Sequence, residues 1–103
     1  IELSQMKQTV TERQLKEVSK RIAGYKDELA IASEQLAHLE NEAENARMRS
    51  LVSETAIADL ERRETEQQVQ SMVRHYRFIT SELEMLEERQ DELLDKMTKT
   101  GSE

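Results

Sequence analysis

The chain has 103 residues, of which 36% are charged and only three (Tyr25, Tyr76 and Phe78) are aromatic. With no Cys, disulfides and thiol chemistry are excluded, and a net charge of −7 speaks against a general nucleic-acid binder and against adhesion to an anionic membrane. Sparse Gly, no Pro and abundant Glu, Lys, Arg, Gln, Leu and Ala form the composition of long helices, provided that periodicity separates the chain from disorder.

Near the start, Thr9-Val10-Thr11-Glu12 fits a capping box, while Leu3 and Met6 allow helix to continue upstream. The sequence does not begin with Met and carries no secretory leader, so it reads as a segment of a longer protein. From Leu15 the apolar positions alternate by three and four: Leu15, Val18, Ile22, Tyr25, Leu29, Ala32, Leu36, Leu39, Ala43 and Ala46. With Leu15 as an a position and Val18 as d, this heptad frame holds throughout 15–46. Gly24 falls at c, outside the seam. A sustained 3.5-residue spacing is what keeps one seam of a helix against a partner helix. The longest apolar run, Leu29-Ala30-Ile31-Ala32, is far short of the roughly 20 residues needed to span a bilayer, so no membrane insertion is expected.

Residues 47–68 break the pattern. Ser50 and Ser53 occupy places where the first frame wants apolar groups, in a stretch that also holds Met48, Leu51, Val52, Ile57 and Leu60. No Pro, Gly or Asn-Gly marks a tight turn. The expectation is therefore a continuous helix with a discontinuity in its supercoil, with a hairpin turning near Ile57 as the alternative. A second run covers 69–97: Val69, Met72, Tyr76, Ile79, Leu83, Leu86, Gln90, Leu93 and Met97. It starts two residues before the first frame would place an a position, and Gln90 is its single polar occupant. Lys96, Lys99 and Gly101 then predict a helix stop.

Flanking charges discriminate orientation. A parallel pair in register sets Arg21 against Lys26 and Glu82 against Glu87, with only Glu42–Arg47 attractive. Antiparallel pairing of the runs, with paired residue numbers summing to 115, gives Glu28–Arg89 and Lys26–Glu87 as favourable pairs and Arg21–Lys96 as unfavourable. It also brings Gln90 to the Tyr25 hydroxyl. The expected fold is thus an all-α, long-helix coiled coil of two heptad blocks, 15–46 and 69–97, separated by a phase break. Antiparallel pairing is favoured, as a dimer or a hairpin, with the parallel dimer as alternative.

Outside the seam, Phe78 and Met85 are both c positions seven apart, and Val73 and Leu94 widen the seam at e. Arg74, His75 and Arg77 add a local basic cluster. Val73, Arg74, Arg77, Phe78 and Met85 are the candidate docking residues for a further helix, with Phe78 as anchor, because buried aromatics and arginines dominate interface energies. Neither His38 nor His75 has a Glu three residues before it, and no Gly-rich phosphate loop or nucleophile motif is present. No catalysis, cofactor, metal or small-molecule substrate is expected. In its Glu/Leu/Gln pattern, Glu82-Leu83-Glu84-Met85-Leu86 through Gln90-Asp91-Glu92-Leu93 resembles the coil of central-channel nucleoporins. The residues upstream depart from that pattern, and no function is taken from it.

The expected function is structural: oligomerisation, spacing and scaffolding through protein helices, as a homo-oligomer or a hetero-coiled coil. The alternative is a regulatory hairpin that masks or presents the Phe78 surface. An intracellular setting is expected, cytoplasmic and associated with cytoskeleton or organelles.

Overall fold

The computed structural model describes the backbone of 2–101 and the side chains of Met6 and of 9–99. The described chain is all-helical. Helix α1 runs Glu2–Ser53 and helix α2 runs Ala56–Gly101, joined by Glu54 and Thr55 as a hairpin. The expected continuous helix is therefore broken, and the break lies before Ile57. The box at Thr9 does not start a helix, because α1 already runs from Glu2.

Local hydrogen bonding explains how a turn forms without glycine. Glu54 adopts a left-handed backbone with φ of 50°, and its N–H donates to the Ser50 carbonyl at 3.2 Å, closing the last turn of α1. Thr55 then caps α2: its Oγ1 accepts from the Ala58 N–H at 3.1 Å, and its carbonyl accepts from the Asp59 N–H at 3.0 Å. Asp59 adds a carboxylate to the positive end of the helix dipole. Thr55→Ala is expected to cost about 1 kcal/mol, the usual worth of such a cap. Glu54→Gly is expected to recover a few tenths to about 1 kcal/mol, since glycine accepts positive φ without a Cβ clash. Denaturant melts of the two variants, moving in opposite directions, check both.

The chain forms two compact units, Ile1–Asp27 with Thr80–Glu103 and Glu28–Ile79. In the first, Val18 and Ile22 of α1 and Leu83, Leu86 and Leu93 of α2 are buried, with Leu93 fully so. Leu15, Tyr25 and Met97 are half-buried there. Gln90 Nε2 donates to Ser19 Oγ across the helices at 3.2 Å. In the second unit, Ala32, Ala46, Ala58 and Ile79 are buried, and Leu29, Leu36, Leu39, Ala43, Val69, Met72 and Tyr76 are half-buried. Arg49 Nη2 donates to Glu61 Oε1 across the helices at 2.5 Å. No position of either apolar run is exposed.

The expected register needs correction. The Ser19–Gln90 and Arg49–Glu61 bonds join residues whose numbers sum to 109 and 110, five to six less than 115 and close to the 108 of a one-heptad slip. Gln90 therefore bonds Ser19 and not Tyr25. Arg89 bonds Glu92 on its own helix at 3.0 Å, and Arg47 likewise bonds Glu44.

Gly24 sits on the outer surface of α1, and a Cβ added there meets no atom within 4 Å. Gly24→Ala should raise stability by up to about 1 kcal/mol through helix propensity alone, read as a higher thermal midpoint by circular dichroism.

Candidate interaction surface

The side chains left outside the seam define what the molecule can bind. Within Glu28–Ile79, Phe78 is 53% exposed and Ile31 is 56% exposed. Their numbers sum to 109, one less than those of the Arg49–Glu61 bond in this unit, so they stand at nearly the same level along the two helices. Both hold c positions of their own runs, which in an antiparallel pair project to the same side. Arg74 precedes Phe78 by one helical turn and, like Arg77, is exposed and engaged in no ion pair among the described residues. Val73 is half-buried. Met85, in the other unit, is 61% exposed, and Leu94 is 45% exposed. Ile31 was not singled out by sequence reasoning, although its c position in the first frame was legible.

A second exposed apolar group surrounds the turn: Met48, Leu51, Val52, Ile57 and Leu60, the most open being Val52 at 82% and Ile57 at 80%. Here the charged side chains are tied down locally. Arg62 binds Asp59 at 2.8 Å and Glu66 at 3.3 Å, Arg63 binds Asp59 at 3.5 Å, and Arg47 binds Glu44 at 2.7 Å. The hydrogen bond from Arg62 holds the Asp59 carboxyl below its usual range, and that from Arg47 does the same for Glu44.

A carboxylate whose folded pKa is depressed contributes stability above its unfolded pKa of about 3.9 and loses it as pH falls through the folded value. Asp59→Asn should therefore lower the thermal midpoint by a constant small amount above about pH 5, a difference that closes as the pH is taken toward 2. Parallel melts of the two proteins through that range test it. A difference that grows on acidification would contradict the pairing.

Two shallow grooves lie on the second unit, both open to solvent. One is lined by Glu40, Ala43, Glu44 and Arg47 with Glu66, Val69 and Gln70, and the other by Leu39 and Met72 with Glu34, Gln35 and His38. His38 is exposed and pairs with Glu42 at 3.1 Å. Among the described residues no group of His, Asp or Glu is arranged to hold a metal ion, and no helix is long and apolar enough to cross a membrane. Neither a protein family, a curated protein nor a solved structure matches the chain. The functional reading rests on geometry alone.

Proposed function

We propose that the chain is a protein-interaction module: an antiparallel coiled coil of two helices folded on themselves, which presents the surface around Phe78 to a partner helix. It acts by binding and carries out no catalysis. One observation supports this reading above the others. No position of either regularly spaced apolar run is exposed, while Phe78 and Ile31 are, beside two arginines that form no ion pair among the described residues. Aromatic and arginine side chains next to one another are the composition of an interface centre. The cross-helix bonds of Ser19 with Gln90 and Arg49 with Glu61 favour antiparallel pairing within one chain.

The architecture is tested by placing cysteines at Glu40 and Gln70, which line one groove, and joining them with a short bis-maleimide. An intrachain crosslink at high dilution is the expected product, and interchain products alone would overturn the hairpin. For the surface, Phe78→Ala should weaken capture of partner proteins without loss of helicity. Undiminished capture of every partner would remove the docking role.

A second reading has its own support. Glu54 holds a left-handed conformation that L residues with a Cβ disfavour by roughly 1–2 kcal/mol. Straightening Glu54 and Thr55 into helix would let two copies exchange α2 and form an antiparallel scaffold rod. Interchain crosslinking of the same cysteines is the signature of that form.

A further inference from the structure

The tip of the hairpin inverts the usual distribution of side chains. Its seam is built from Ala46, Ser50 and Ala58, which are buried or half-buried, while its large apolar groups point away. Leu51 and Val52 lie three and four residues after Met48 on α1, and Ile57 and Leu60 are three apart on α2, so each helix carries an outward apolar stripe. All five are between 48% and 82% exposed. A helix gains nothing in isolation by turning its small residues in and its large ones out, and contiguous exposed apolar surface of this kind marks contact sites.

Charge selects what covers it. Residues 47–63 contain four arginines (Arg47, Arg49, Arg62 and Arg63) against three carboxylates (Glu54, Asp59 and Glu61), in a chain of net charge −7. By contrast 28–46, in the same unit, holds five glutamates and neither lysine nor arginine. Two copies laid side by side along that stretch set glutamates against glutamates. Two copies meeting at their tips avoid this, because the tip carries both signs, four arginines and three carboxylates, around its apolar centre. The Arg49–Glu61 pair is exposed, so a two-fold axis can bring the arginine of one tip to the carboxylate of the other.

We propose that the apolar tip is a self-association surface, on which a second copy of the chain docks tip to tip about a two-fold axis. The contact centres on Leu51, Val52 and Ile57. It rests on the hairpin reading above, and adds to it a dimer in which neither helix is exchanged. Five side chains per copy make a contact at or below the low end of specific interfaces, which bury about 800 Å² per partner, so the dimer is weak and concentration-dependent.

Sedimentation equilibrium from low to high micromolar concentration tests this on the full chain, beside the exposed double variant Val52→Glu with Ile57→Glu. The wild type is expected to show a reversible monomer–dimer equilibrium. The variant keeps its helicity and melting profile, while its association constant falls roughly tenfold or more. A wild type that stays monomeric throughout, or a dimer indifferent to the two glutamates, overturns the proposal. So does a variant-sensitive wild type that stays monomeric but binds vesicles of phosphatidylcholine and phosphatidylserine, which makes the tip a lipid contact.

The Glu40–Gln70 crosslink, run on the isolated dimer, keeps the two readings apart. Intrachain product with a variant-sensitive dimer supports tip docking. Interchain product means helix exchange and overturns both the tip contact and the hairpin.

Discussion

Replacing Ile79 by alanine is expected to remove about 2–5 kcal/mol of folding free energy, while replacing its neighbour Phe78 leaves stability within about 0.5 kcal/mol. The two side chains differ by one position and by everything that matters to packing. Ile79 is fully buried and Phe78 is 53% exposed, so the larger, more hydrophobic residue contributes less. Deleting a buried isoleucine loses its transfer free energy and leaves a cavity that long helices cannot easily close. Against a total of about 5–15 kcal/mol for an ordinary domain, the loss is a large fraction. Leu93, fully buried in the other unit, gives an independent measurement with the same expected size. Chemical denaturation of Ile79→Ala, Leu93→Ala and Phe78→Ala decides the matter. A Phe78 variant less stable than the Ile79 variant would mean that α2 turns its other face inward.

Ala46→Leu and Ala32→Leu should each destabilise the protein by about 1–3 kcal/mol, although the heptad pattern alone points the other way. Both alanines hold d positions of the first run, where leucine is the favoured residue of two-stranded coils. In the structure, however, Ala46 has no exposed surface and Ala32 has 1%. Both methyl groups are covered by neighbouring atoms, so three added carbons must displace those neighbours or force a strained rotamer. In pairings that sum to 108, one heptad below 115, Ala46 meets Arg62. Arg62 is half-buried at the a position reached by extending the second frame backwards, with its guanidinium held by Asp59 and Glu66. Its aliphatic stem fits a narrow seam better than a wide one. Thermal melts of the two variants test the closeness of the helices directly, and a raised midpoint in either would show the seam to be open at that layer.

Much of this architecture was written in residue spacing. The composition and the 3–4 alternation pointed to long helices, to the unexposed positions from Leu15 to Ala46 and from Val69 to Met97, and to the zone 47–68 that contains the turn. The Phe78 surface was also legible, since a c position cannot reach the seam. The turn was half legible. Thr55 is a capping residue with an acid in the following turn, but Glu54 is not a residue from which a left-handed turn is read, so continuity looked the better choice.

Register could not be read in the same way, and the reason is physical. A slip of seven residues returns every a position to a d position of the other run, so pairings summing to 115 or to 108 both match apolar to apolar. Only the length of the turn chooses between them, and that is a property of the closed hairpin. The outward apolar tip was likewise a tertiary outcome. Ile57 and Leu60 hold a and d places of the first frame until the turn at Glu54 and Thr55 starts α2 in the second frame, which buries Ala58 and leaves Ile57 and Leu60 exposed with Met48, Leu51 and Val52. Spacing along one helix says which residues share a face; the partner helix decides which face is inside.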